Sequence, residues 1–141
     1  MKALLFACVL VFTASVAAVA GNGEKITDQD LIERSGVWFQ KSAQRPFTGQ
    51  TDGLRQYSYL QGKRHGRGLL FYESGQLKAE MRYENGRLNG PYVMYFENGR
   101  PMMRGTMEND TREGRWEVFY FNGDKSLHSS GIYRNGKWVA P

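Results

Sequence analysis

The sequence predicts an all-β fold: an antiparallel array of β-hairpins forming one extended, twisted meander, preceded by a signal-peptide helix. Three observations carry this reading. Glycines and aromatics recur at a fixed interval of 24 residues, as in Gly66, Gly90 and Gly114, Gly75, Gly99 and Gly123, and Phe71, Tyr95 and Phe119. The stretches between them alternate apolar and polar side chains, which is the period of a half-buried strand. Glycine preceded by Asn or Ser punctuates these stretches, and such pairs turn a chain sharply because both residues tolerate positive φ.

Composition agrees with this and narrows the field. A chain of 141 residues makes one domain and not two full ones. Aromatics at 13% and a net charge of only +5 exclude a disordered chain. One cysteine excludes a disulfide scaffold.

The leader comes first. Lys2 is followed by an uncharged run from Ala3 to Ala20 ending in Ala18-Val19-Ala20, then polar Gly21-Asn22-Gly23. That order predicts a secretory signal peptide over residues 1–20, cut between Ala20 and Gly21. The expected location is the periplasm. Cys8 interrupts the apolar run instead of following it, which argues against lipidation there. Cleavage would remove this one cysteine, and with it thiol chemistry and cysteine metal sites.

Residues 21–46 form a polar lead and a capping hairpin, with short strands expected at Leu31-Ile32 and Gly36–Phe39 before a turn at Lys41–Arg45. Residues 47–141 carry four hairpin repeats, at about 47–66, 67–90, 91–114 and 115–138. Tyr59, Tyr83 and Met107 keep the interval, and Tyr133 comes 26 residues later, so the fourth unit holds two extra residues within Lys125–Ser130. In Leu77–Glu84 the apolar set Leu77, Ala79, Met81 and Tyr83 faces one way, and Lys78, Glu80, Arg82 and Glu84 face the other. Hairpin turns are expected at Ser74-Gly75, Asn98-Gly99 and Asn122-Gly123. Units are expected to join through basic turns at Gly62–Gly66, Gly86–Gly90 and Asp110–Gly114. Each unit packs only on its neighbours, and four in series share one apolar face.

These residues resemble a known family. Pro46-Phe47-Thr48-Gly49, Tyr59-x-x-Gly62-Lys63-x-His65-Gly66, Phe71-Tyr72-x-x-Gly75-Gln76-Leu77-Lys78-x-Glu80 and Tyr95-Phe96-Glu97-Asn98-Gly99 are similar to YwqK-family antitoxin modules, part of the wider group of MORN-like repeats. The resemblance spans roughly residues 31–138. Its departures are a truncated first unit, Asp110 at a turn glycine, Pro101 in a second strand, and the longer last unit. The resemblance implies a non-catalytic scaffold that binds and neutralises a toxin or effector as an antitoxin or immunity protein. An envelope scaffold touching anionic lipid is the alternative.

The residues themselves offer little catalytic chemistry. His65 and His128 stand 63 positions apart, and no metal spacing, nucleophile elbow or phosphate loop is present, so no cofactor is expected. Glu73 and Glu97 stack at exposed hairpin ends. Two features suit a partner. Phe71, Tyr95 and Phe119 form an aromatic column on the face opposite the core, unless sheet curl or the cap covers it. Lys63, Arg64, Arg67, Arg87, Arg112, Arg115 and Lys137 form a basic edge, which is either plain solvated surface or a site for an acidic protein or lipid headgroups. Interfaces favour these residue types. Nucleic acid is not expected for an exported chain.

Overall fold

The computed structural model describes residues 25–141; the leader, its Ala20–Gly21 junction and Cys8 lie outside the described residues. The described residues contain eleven strands and one 3-10 turn at Asp28–Asp30. Strands β1 (Leu31–Arg34) and β2 (Val37–Gln40) pair as a separate hairpin. The other nine form one antiparallel sheet in simple sequence order: β3 (Gly49–Gln50), β4 (Arg55–Leu60), β5 (Lys63–Phe71), β6 (Leu77–Glu84), β7 (Arg87–Tyr95), β8 (Pro101–Glu108), β9 (Thr111–Val118), β10 (Gly131–Arg134) and β11 (Lys137–Ala140). Every strand lies beside its neighbour in the chain, as the repeat predicts.

The two ends of the hairpins differ from expectation. Within the nine-stranded sheet the tight two-residue turns are Gln61-Gly62, Asn85-Gly86, Asn109-Asp110 and Asn135-Gly136, with both residues at positive φ in each. Asn and Asp bear that conformation better than other non-glycine residues, which is how Asp110 replaces a glycine. Ser74-Gly75, Asn98-Gly99 and Asn122-Gly123 belong instead to five-residue loops in which only the glycine is left-handed. There the Tyr72 and Phe96 amides donate to the carbonyls of Gln76 and Arg100, four residues on. The segments read as basic turns therefore open strands β5, β7 and β9. Gly66, Gly90 and Gly114 are not turn residues. They sit at positive φ where the register shifts between β4 and β5, β6 and β7, and β8 and β9.

One face of the sheet is the core. Tyr57, Tyr59, Ala79, Met81 and Tyr83 are buried there, and Leu31 and Phe47 cover them with Ile26 and Trp38 packed alongside. Phe47 and Trp38 meet Tyr59 edge-on at 5.5 and 6.2 Å between ring centres. The cap is pinned by backbone as well. The Trp38 amide donates to the Gly62 carbonyl, Gly62 to Phe47, and Phe47 to Trp38. The β1–β2 hairpin thus meets the sheet at Tyr59 and Gly62 and adds Leu31 to its core.

Large and absent side chains alternate along the core face. Tyr57, Gly68, Met81, Tyr92 and Gly105 follow one another across β4 to β8, and Trp116 pairs with Gly131. A methyl at Gly68 would stand 3.0–3.2 Å from Tyr57, Tyr83 and Met81, and one at Gly105 would overlap the Trp116 ring. The glycines are the space the rings occupy. Trp116 is only 1% exposed, and its indole N–H donates to the Thr106 carbonyl.

The fourth unit departs further than two added residues suggest. Lys125 still bridges to Phe119, but Ser126 to Ser130 then form a buckled loop before β10 begins. The buried Ser130 hydroxyl accepts from the Val118 amide at 2.9 Å and fastens the loop. His128 is exposed in this loop.

Candidate binding surface

Residues opposite the core face form a second surface that the cap does not touch. Pleating puts them there: Glu80 and Arg82 alternate with the buried Ala79, Met81 and Tyr83. One row runs Gln56, Leu69, Glu80, Val93, Arg104 and Glu117 across six strands. Beside it, Arg67 faces Arg82, Pro91 faces Thr106, and Arg115 faces Ile132. This outer face is polar and cationic. Arg67 Nε donates to Glu80 at 2.9 Å, while Glu117 receives both Arg104 at 2.7 Å and Lys125 at 3.0 Å. Those two partners, Lys125 foremost, hold the Glu117 carboxyl below its ordinary pKa.

The aromatic column lies along the margin of this surface, and all three rings are half-buried. Phe119 lies under the Arg104 guanidinium, 5.5 Å from its ring centre. Phe71 donates its amide to Leu54, and Tyr95 accepts the Tyr72 hydroxyl at 2.8 Å on its carbonyl. Among the described residues no ring pair joins Phe71, Tyr95 and Phe119 to one another. The column is thus a set of separate half-buried rings and not an open ladder.

The basic edge splits in two. Lys63 and Arg87 are exposed beside the tight turns. Arg64 and Arg112 leave that edge and turn onto the core face. Arg64 lies 4.1 Å from the Tyr57 ring centre and 5.5 Å from those of Trp38 and Tyr83. Its Nε is buried without a hydrogen-bond partner among the described residues. Arg112 lies 4.7 Å from Trp116 and 5.3 Å from Tyr133 and reaches the Tyr133 hydroxyl. Each two-residue turn dictates this. With Gln61-Gly62 as the turn, Arg64 must oppose Tyr59, and with Asn109-Asp110 it is Arg112 that opposes Met107. Burial raises the Tyr57 and Tyr83 phenols above their ordinary pKa, against the pull of Arg64.

The sequence reading missed the exposed apolar group at the far end. Tyr120 is 54% exposed, Phe121 63% and Leu127 74%, all in the loop after β9. Phe121 packs edge-on against Phe96 at 5.3 Å. The two extra residues of the last unit were the available signal, since they lengthen this loop. Among the described residues no cluster of His, Cys, Asp or Glu is placed to hold a metal, and no helix is long and apolar enough to cross a membrane.

A family model described as a MORN repeat variant matches residues 64–85, which span most of the β5–β6 hairpin. That match supports a MORN-repeat protein, a repeat module of the type that mediates protein or membrane contact. No curated protein matches the chain.

Proposed function

We propose that this chain is an exported, non-catalytic binding protein that neutralises a toxin or effector in the periplasm by covering its working surface. The observation that carries the reading is the outer face: a wide cationic sheet surface, margined by half-buried rings, left open while the chain spends its cap on the opposite face. Complementary charge would speed association with an acidic partner and select it. The resemblance to antitoxin modules supports the same reading, as does the leader expected from the sequence. Tyr95→Ala with Phe119→Ala should weaken partner binding and leave the fold largely intact. Pull-down from envelope extract with mass spectrometry tests the proposal. Absence of any toxin-like partner, together with no protection of cells that make the neighbouring gene product in the periplasm, would end it.

A second reading, an envelope scaffold in contact with anionic lipid, is favoured by Tyr120, Phe121 and Leu127, which present apolar surface to solvent. Such side chains beside basic ones suit a headgroup interface. Flotation with anionic liposomes separates the two: this version requires binding that fades as salt rises.

A further inference from the structure

We propose that Arg67 and Arg82 form a binding site for one carboxylate, an aspartate or glutamate side chain of a protein partner, with the partner's adjacent apolar residue resting on Pro91 and Val93.

Arg67 and Arg82 are directly opposite each other on β5 and β6. Like charges so placed repel, and here one carboxylate, Glu80, stands with two guanidiniums. Glu80 engages Arg67 through Nε, and Arg82 is exposed and makes no ion pair among the described residues. The same outer surface two strands on is settled differently. There Glu117 is shared by Arg104 and Lys125, and Thr106 stands where the repeat would place Arg82. Arg115 on β9 is also exposed without an ion pair among the described residues, but it faces Ile132; two arginines directly opposite each other with a single carboxylate between them occur at the β5–β6 hairpin.

The shape agrees. Arg67, Glu80, Met81, Arg82, Pro91 and Val93 line a shallow depression on this face. Its far wall, Pro91 and Val93, is apolar. Arg82 is held over Gly90, where a side-chain carbon would stand 3.2–3.6 Å from its stem. A guanidinium presents a planar fork that fits a carboxylate two-pronged. Glu80 within the site decides the ligand's charge. It leaves one net positive charge, which suits a monoanion and disfavours a phosphate dianion. That the carboxylate belongs to a protein rests on the binding function proposed above; its recognition by the two arginines stands on the geometry alone.

The test follows the arginine Nε–H signals of the full chain by NMR at fixed ionic strength. Three probes are titrated: the blocked tripeptide Leu-Glu-Leu, the same peptide with Gln for Glu, and inorganic phosphate. Saturable movement of Arg67 and Arg82 with the Glu peptide alone is expected, while Arg104, committed to Glu117, stays still. Arg82→Gln should weaken binding about tenfold, and Arg82→Lys should fall between, having the charge without the fork. Equal shifts with the Gln peptide, movement spread evenly over Arg104 and Arg115, or tighter binding of phosphate would overturn the proposal. Because the probes need no toxin, a negative pull-down beside a positive titration removes the toxin reading and keeps the site; the converse removes the site alone.

Discussion

The β4–β7 end of the sheet and the β8–β11 end obey one repeat but bury their core faces by different means. At the first, five sheet side chains, Tyr57, Tyr59, Ala79, Met81 and Tyr83, are buried together with Leu31 of the β1–β2 hairpin and Phe47, which cover them. At the second, Trp116 is the one buried hydrophobic among the described residues, and no cap is laid across it. Its burial comes from within the sheet. The indole lies on the bare backbone of Gly105, beside Tyr92 and Tyr133, with Arg112 above it. A single sheet has two faces and can bury one only against something. Here the N-terminal units receive a separate cover, and the C-terminal units lay their own largest rings flat across missing side chains.

The largest effect should come from the ring that stands alone. Trp116→Ala is expected to cost about 3–5 kcal/mol, as for other buried tryptophans, read from chemical denaturation. Since repeats couple mainly to neighbours, protease protection of residues 25–60 should survive at low denaturant. Simultaneous loss at both ends would erase the distinction between them.

Next is the pin of the cap. A side chain at Gly62 would strike Val37 and the Trp38 carbonyl, at a left-handed φ of 75°, a conformation L-residues rarely adopt. Gly62→Val should cost about 3 kcal/mol from strain and overpacking together, and should release residues 25–47 to protease. A cap that stays protected would mean that its side chains, and not this backbone junction, hold it.

Gly90→Val tests the bulge between the two ends. It combines φ of +120° with the Arg82 stem nearby, and about 2 kcal/mol is expected. An unchanged melting temperature by circular dichroism would contradict the strained geometry.

The two buried-face arginines give a finer comparison. Arg64→Ala should cost about 1–2 kcal/mol and Arg112→Ala less, because Arg64 lies among three rings and beneath the cap, where a cation–ring contact is worth more. Equal losses would show that the cover adds nothing.

The smallest effect is electrostatic and belongs to the outer face. Glu117 titrates below its ordinary value when folded, so its stabilisation is complete above the unfolded glutamate pKa, about 4.3. It disappears as pH falls through the lower folded value. The difference in melting temperature between the native chain and Glu117→Gln should therefore shrink with acidification below about pH 4.3, with less than about 1 kcal/mol at stake. A gap independent of pH would remove the carboxylate's role.

Strand order and the inward set Ala79, Met81 and Tyr83 were legible because period and alternation are properties of the string itself. Which hairpin end turns tightly was not. Ser74-Gly75 and Asn85-Gly86 look alike as text, and strand length decides between them: nine-residue β5 and β7 absorb what read as basic turns. That choice shifted the register of everything after it. Arg64 and Arg112 read as part of an exposed basic edge because they are charged, yet counting outward from Gln61-Gly62 and Asn109-Asp110 places both among aromatics. The aromatic column was found, but its half-burial depends on loop closure around Leu54 and Tyr72, which no local pattern encodes. Arg82's lack of an ion pair needed Glu80 to choose Arg67, a matter of side-chain geometry.

The rings and the bare positions that receive them lie on successive strands, out of step with the 24-residue unit. Excising residues 85–108 would bring Trp116 against Met81, with no glycine between to admit it. Such an array does not shorten like a string of beads: what one module lacks is filled by the next, so its length is written into its sequence.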